Sequence, residues 1–341
     1  MVSLKDIAQK CGVSAATVSK ALNNQKDIGE ETREKIKKTA EEMGYLPNSA
    51  ARALKTKRSY NIGVLFQDAA RSGLTHEYFS GVLDGIMVEA ERRGYDITFI
   101  NTHSEKRQMS YLEHCRYRNF DGVVIVCVDD FNNPTVQQLM NNSKIPVVTI
   151  DYLHQNCTAV SSNNVKGIEE LVHYIYEKGH RRIAYIHGQD FSFVTRERLT
   201  SFYRVVEELG LEIPDEYIRE ANYLETKDTA RQTRELLKLK NRPTCILYPD
   251  DTSLIGGMNV INEAGLRIPE AISVAGYDGT KISQQLCPKL TTIRQNTAMI
   301  GKTAADHLIF QIEKPKTALI ERVVIDGELL TGNSVGNAPE Q

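Results

Sequence analysis

Side chains able to hold a small polar molecule recur just past short apolar runs of this chain. They are Asp68, Asp129, Asp130, Asp151, His187, Asp250, Asp251 and Asp278, with Arg196 and Arg198 at the start of a helix. Carboxylates accept paired hydrogen bonds from neighbouring hydroxyls, and a guanidinium donates a fork of them. Gathered in one cleft, such a set suits a sugar or another polyol, and its excess of carboxylate disfavours a phosphorylated ligand. Phe66, Tyr78, Phe79, Phe191, Phe193 or Tyr248 would supply a stacking wall. For any single acid the plainer role is a helix cap or a salt bridge, and that role is expected for Asp68, Asp129 and Asp251.

Bond-making chemistry finds little support. The chain has no GxxxxGK[ST] phosphate loop and no GxSxG nucleophile turn. Its six cysteines are far apart, without zinc spacing, and read as reduced, buried small hydrophobes of a cytoplasmic protein. His114 and Cys115 are neighbours, but adjacency does not make a dyad. His173, His180 and His187 lack metal spacing on one helix face. The reading is a binder with no cofactor and no metal, not an enzyme. The opening residues lack a signal peptide's apolar core, and no apolar run would span a bilayer.

The elements that must position the acids alternate. "NIGVLF", "YDITFI", "DGVVIVCV", "IPVVTI", "RIAYIHG", "TCILYP" and "ISVAGY" read as strands, with helical periodicity between them, as at Phe79, Val82, Leu83, Ile86, Met87 and Ala90. Such alternation implies parallel sheets covered by helices on both faces. The units are too many for one sheet, so two Rossmann-like lobes are expected. In open α/β sheets ligands lie beyond the carboxyl ends of the strands, where the acids fall.

The first sixty residues differ in charge and texture. They hold 12 Lys/Arg and 7 Asp/Glu, against 30 and 37 in the remainder. A basic module that meets a polyanion, on a body that does not, fits this asymmetry. Leu4, Ile7 and Ala8 mark one helix face, Gly12 a turn, and Ser14 the N-cap of a second helix with Val18, Ala21 and Leu22 inward. A third helix carries Ile36, Ala40 and Met43 and stops at Gly44 and Pro47. Two short helices around a glycine turn make a helix-turn-helix, whose second helix enters a major groove by its N-terminus. Ala15, Ala16 and Thr17 are small enough there for methyl contacts to thymine, and Lys20 would reach a guanine edge or a phosphate. The plainer alternative is a small three-helix domain with a solvated basic face.

"LKDIAQKCGVSAATVSKALNN" and "ETREKIKKTAEEMGYLPNSAARALKTKRSYNIGVLF" resemble the lactose/galactose repressor (LacI/GalR) family of bacterial transcription factors. "IPVVTID", "KGHRRIAYIHG", "RERLTSF", "IPEAISVAGYDG" and "KLTTIRQ" extend the resemblance through nearly the whole chain. It implies a three-helix helix-turn-helix head at 1–46, a hinge helix and linker at 47–60, and a periplasmic-binding-protein-like body at 61–341. Lobe 1 is expected at about 61–160 and 292–321, and lobe 2 at about 161–291 and 322–338. Crossovers are expected near Ile150–His154, Leu290–Gln295 and Arg322–Ile325.

The resemblance also assigns residues. Ser14, Ala15, Ala16, Thr17, Lys20 and Asn23 would face DNA. Asn48, Ala51, Leu54 and Lys55 would belong to the hinge, with Leu54 as a minor-groove wedge. Asp151, Arg198 and Asp278 match effector-binding positions, and Phe79 and Asp250 join them. Lys20 stands where Arg is frequent, Asp250 where Asn is frequent, and Asn163 where Asp is usual. The function implied is a sequence-specific repressor, a homodimer on a pseudo-palindromic double-stranded operator, controlled by a small-molecule effector, with a sugar foremost. A same-family regulator using a phosphocarrier protein as co-effector, or a head fused to a sugar-converting enzyme, are the alternatives.

Overall fold

The computed structural model describes residues 2–25, 27–46, 53, 56–67, 73–101, 103–104, 107–128, 130–142 and 144–339. The expected hinge residues Asn48, Ala51, Leu54 and Lys55, and Asp68 and Asp129, lie outside the described residues. Contacts divide the chain into Met1–Ser59 and Tyr60–Gln341.

The first unit holds α1 (Leu4–Cys11), α2 (Ala15–Leu22) and α3 (Glu30–Glu42). Each boundary has a local cause. Ser3 and Asp6 form a reciprocal capping box at the start of α1, and Gly12, at φ 72°, ends it. The Ser14 hydroxyl accepts the Thr17 N–H at 3.0 Å and so starts α2. Ile7, Ala8, Cys11, Val18, Ala21, Ile36 and Ala40 close the small core. These are the positions that helical spacing marks inward, plus the Cys11 thiol.

Among the described residues, the second unit contains two six-stranded sheets and one two-stranded pair. The first sheet joins β1 (Asn61–Phe66), β2 (Asp96–Phe99), β5 (Gly122–Cys127), β6 (Val147–Ile150), β7 (Thr158–Ser162) and β13 (Arg322–Ile325), in the order β13-β7-β6-β5-β1-β2. The short strands β3 (His103–Ser104) and β4 (Arg107–Gln108) pair with each other. The second sheet joins β8 (Ile183–His187), β9 (Ile218–Glu220), β10 (Cys245–Leu247), β11 (Ser273–Asp278), β12 (Thr291–Arg294) and β14 (Glu328–Leu330), in the order β14-β12-β11-β10-β8-β9. All pairs in both are parallel except β12 with β14.

Helices α4 (Glu77–Arg92), α5 (Tyr111–Arg118), α6 (Pro134–Met140) and α11 (Thr297–Glu313) flank the first sheet. Helices α7 (Asn164–Glu177), α8 (Phe193–Glu208), α9 (Thr226–Lys238) and α10 (Asp251–Glu263) flank the second. Ile300, Ala304 and Leu308 of α11 are buried with Val82 and Ile86 of α4. The two helices approach closely because Gly301 lacks a side chain; a Cβ there would sit 2.0 Å from the Val82 carbonyl oxygen.

Two expected lobe boundaries are corrected and one agrees. Strand β7 lies wholly in the first sheet, so the chain first crosses at Asn163 and not near Ile150–His154. Strand β12 belongs to the second sheet, so the return to the first lobe begins after Arg294, inside the expected crossover Leu290–Gln295. Strand β13, expected in lobe 2, pairs with β7 from Arg322↔Ala159 to Ile325↔Ser162, and the last crossing follows at Asp326 and Gly327. The placement of β13 has a simple cause. A short edge strand such as "RVVI" is only half-buried, so its pattern does not say which sheet it completes. The unpaired backbone edge of β7 decides that in three dimensions.

Candidate functional site

On the head, Ser14, Ala16, Lys20 and Asn23 are exposed, and Ala15 and Thr17 are partly so. Residues three and four apart share a helix face, so Ala16, Thr17, Lys20 and Asn23 form one strip from the N-terminus of α2. Three members already have partners, the Thr17 hydroxyl lying 2.9 Å from that of Ser14. Lys20 Nζ pairs with Asp27 at 2.5 Å, and Asn23 Nδ2 donates to the Ser19 carbonyl at 2.6 Å. The Lys20 ammonium holds the Asp27 carboxyl below the ordinary carboxylate range. The second helix therefore presents small and polar residues at its positive dipole end and a cation, Lys20, in its last turn.

In the body, Asp151 follows β6 and Asp278 ends β11, and both take positive φ, at 53° and 103°. That region is costly for a residue with a side chain and is concentrated at functional sites. Asp151 accepts from the Tyr78 hydroxyl and, at 3.2 Å, from the Ser162 N–H. Asp278 accepts from Gln295 Nε2 at 2.7 Å. Arg198, 3% exposed, donates through Nε to Asn164 Oδ1 at 2.9 Å and through one amino group to the Pro249 carbonyl at 3.1 Å. Its guanidinium carbon lies 3.5 Å from the centre of the Tyr277 ring. Among the described residues, three of its five N–H groups stay uncommitted.

The charges interact. Burial pushes the Asp278 carboxyl well above the ordinary 3.8, against the pull of Arg198 and with the push of Asp250 and Asp251. Burial also raises Asp151, while its bonds from Tyr78 and Ser162 and the charge of Arg198 lower it. The Tyr78 hydroxyl is pushed well up by burial and by the fields of Asp151 and Asp278. A buried cation, two acids from different lobes and several tyrosines thus share one electrostatic environment.

Other expected residues have other tasks. The Asp250 carboxylate is taken up by the Ser253 N–H and hydroxyl, both at 2.7 Å, and by the Leu224 N–H at 3.0 Å, which makes it the N-cap of α10. Asp251 is fully buried and accepts from Thr280 and Thr292, a structural carboxyl. Asn163 caps α7 and bonds Asp326 at 2.8 Å. His187 Nδ1 lies 2.7 Å from the Gly188 carbonyl oxygen, and Asp130 is exposed and bonds the Asn132 N–H. Phe79 packs edge-on against Phe66 at 5.1 Å and against Tyr78 at 5.3 Å. Tyr248 is interior, bonded to Thr233, and Phe191 is 74% exposed.

Several residues of the site escaped the sequence reading. Tyr223 bonds Thr195 at 2.9 Å and feels the charges of Arg198, Asp250 and Asp278. Its ring lies against Gly188, where a Cβ would meet it at 2.0 Å. Tyr277, Gln295 and Asn164 were also missed. The first two stand inside quoted stretches, beside Asp278 and at the end of "KLTTIRQ". Tyr223 sits in a loop with no periodicity to mark it.

A helix-turn-helix head on a two-sheet body whose strand ends gather an arginine and two acids is a ligand-controlled DNA-binding protein. Residues 3–48 match bacterial regulatory proteins of the lacI family, and residues 172–335 match the periplasmic binding protein-like domain. The HTH-type transcriptional repressor PurR of Vibrio vulnificus (strain CMCP6) is 30% identical over 92% of this chain and 92% of its own. The probable HTH-type transcriptional repressor ExuR of Bacillus subtilis (strain 168) is 30% identical over 98% of each. Among solved structures, the lac repressor dimer bound to operator and the anti-inducer ONPF has 25% identity and a TM-score of 0.79, covering 98% of this chain and 99% of its own. The chain belongs to the lacI family of bacterial regulatory proteins. It is a DNA-binding transcriptional repressor with an effector-binding body, and its relatives are repressors rather than enzymes. Among the described residues no helix is long and apolar enough to cross a membrane.

Proposed function

We propose that this repressor binds a pseudo-palindromic operator as a homodimer and is controlled by a sugar held among Asp151, Arg198 and Asp278. The observation that carries the reading is the set of uncommitted donors on buried Arg198 beside two acids from different lobes. Vicinal hydroxyls donate to such carboxylates and accept from such a guanidinium. Tyr223 and Phe79 supply the apolar faces that a sugar ring needs. Asp250, saturated by its own helix and by Leu224, shapes the wall and leaves direct contact to the other three.

On the head, Ser14, Ala15, Ala16, Thr17, Lys20 and Asn23 meet the major groove, and Asn48, Ala51, Leu54 and Lys55 form the minor-groove hinge. Closure of the lobes on the effector changes the spacing of the two first lobes of a dimer and so the fit of the heads. The coupling this requires is about 1–3 kcal/mol and is reciprocal between the two ligands.

Thermal unfolding of the full chain against a panel of sugars, polyols and nucleobases tests the effector class. A sugar at 100-fold above its dissociation constant adds about 2.7 kcal/mol to stability. Silence among sugars with a response to nucleobases would overturn the sugar assignment. Leu54→Ser should weaken operator binding and spare effector binding; unchanged operator affinity would remove the wedge role.

A further inference from the structure

Away from the cleft, the second lobe carries a cavity at the C-terminal end of α7. It encloses about 280 Å³ and is lined by Lys178, Gly179, Arg181, Arg182, Thr244 and the segment Asn337–Pro339. The size falls just below the range of pockets for drug-sized ligands and suits a small ion or a small metabolite. Its walls are tied in place. The Ala338 N–H donates to the Lys178 carbonyl at 2.8 Å, and His180 Nε2 reaches the Gly336 carbonyl at 3.2 Å. Thr244 holds the other nitrogen of the same buried ring at 2.9 Å.

The charges on these walls are one-sided. Lys178, Arg181 and Arg182 line the cavity, and among the described residues none of the three pairs with a carboxylate within 4.0 Å. Arg181 has a structural duty, since one of its amino groups donates to the Tyr176 and His180 carbonyls at 2.9 Å each, capping the end of α7. Stacking on Tyr176 at 3.7 Å fixes its plane. Its Nε–H and second amino group, one edge of the fork, remain uncommitted. Arg182 has no such duty. Its Nε–H is cut off from solvent and has no acceptor among the described residues. Buried donors are almost always paired, so an unpaired guanidinium N–H calls for a partner. Helix capping accounts for Arg181, and the Lys178 ammonium lies 5.4 Å from the centre of the Tyr174 ring; neither duty accounts for Arg182 in the same concavity.

We propose that Lys178, Arg181 and Arg182 form a second binding site, separate from the effector cleft, for a small tetrahedral oxyanion: inorganic phosphate or the phosphate of a small monoester. Two guanidinium edges at a small concavity, in the positive field of Lys178, match oxygens at tetrahedral spacing. The cleft differs in kind, because there carboxylates surround a single arginine.

The test uses the full chain without DNA, with inorganic phosphate as the probe and chloride at matched ionic strength as the reference. Thermal unfolding and calorimetric titration should show a saturable response to phosphate beyond that to chloride. In Arg182→Met the phosphate affinity should fall at least tenfold, with the unfolding midpoint in chloride kept. Lys178→Met serves as the second variant should Arg182→Met fold poorly. The response should persist in Lys20→Ala, which separates this site from the phosphate-seeking face of the head. A phosphate effect no larger than that of chloride, or one that Arg182→Met and Lys178→Met both leave intact, overturns the proposal.

Discussion

The Glu77 carboxylate takes the backbone N–H of Lys281 with both oxygens, at 3.0 and 2.9 Å, although 204 residues separate them. Glu77 opens α4 in the first lobe, and Lys281 follows β11 in the second. The next residue after Glu77 is Tyr78, whose hydroxyl holds Asp151, and Asp278 stands three residues before Lys281. One contact therefore ties the two lobes beside the acids they contribute. Glu77→Gln keeps the shape and removes the charge. Effector affinity should fall about threefold to tenfold, the scale of one partly exposed charge-assisted hydrogen bond. Calorimetry with the effector, and operator binding without it, check this; unchanged effector affinity would show that the tie is incidental.

Arg198→Met should abolish effector binding, by about 100-fold or more, because a buried guanidinium that donates to the ligand leaves no substitute. Operator binding without effector should survive, since the head folds around its own core. A gel shift with and without effector reads both quantities. Retained induction in a folded Arg198→Met protein would move the effector elsewhere.

Acid should weaken the effector. Burial raises Asp278 well above 3.8 and raises Asp151 as well, so both take up protons at higher pH than free carboxylates. A hydroxyl donates best to an ionised carboxylate. As pH falls through these raised values, the acceptors are neutralised and affinity drops. Titrations at successively lower pH should show a rising dissociation constant; tighter binding in acid would reverse the assigned donor and acceptor roles.

Asp251 makes a separate prediction about stability. Burial lifts it from 3.8 to about 6, despite bonds from Thr280 and Thr292. The folded state then holds the proton more tightly than the unfolded chain. Its contribution to stability is largest below about 3.8 and is lost as pH rises to about 6. At 1.36 kcal/mol per unit the swing is at most about 3 kcal/mol. Urea unfolding at several pH values should show Asp251→Asn with a flatter profile between pH 4 and pH 6 than the parent. An equal slope in both would assign the titration to another group.

Lys20 must leave Asp27 to touch DNA. Lys20→Ala should reduce the slope of log affinity against log salt by about 0.9 per head if the contact is to phosphate. A variant that keeps the slope but relaxes base preference at one operator position would place Lys20 on a base edge instead. Binding measured across a salt series on operator and random duplex separates the two.

Much of the architecture was readable in the chain because its causes are local. Ser14 caps α2 and Gly12 turns before it for reasons contained in a few residues. The strands "NIGVLF" and "DGVVIVCV" announce themselves because parallel strands are covered on both faces. Asp151 and Asp278 could be named as candidates because they follow such strands, where ligands lie, and because they match effector-binding positions of the family. Asp250 shows the limit of that rule. It stands in an equivalent place, yet Ser253 and Leu224 consume its oxygens, and no linear spacing reveals how many donors will find a carboxylate.

What the sequence determined by itself is the order of elements, the cores they bury and the family to which they belong, since these follow from propensity, periodicity and register of motif. Only the tertiary structure decided which sheet receives β12 and β13, that Tyr223 and Gln295 reach the same site as Arg198, and that Glu77 meets Lys281. Those are meetings between residues far apart in the chain. They depend on which unpaired edges and buried charges must be satisfied once the chain is compact, and a one-dimensional pattern carries no record of that.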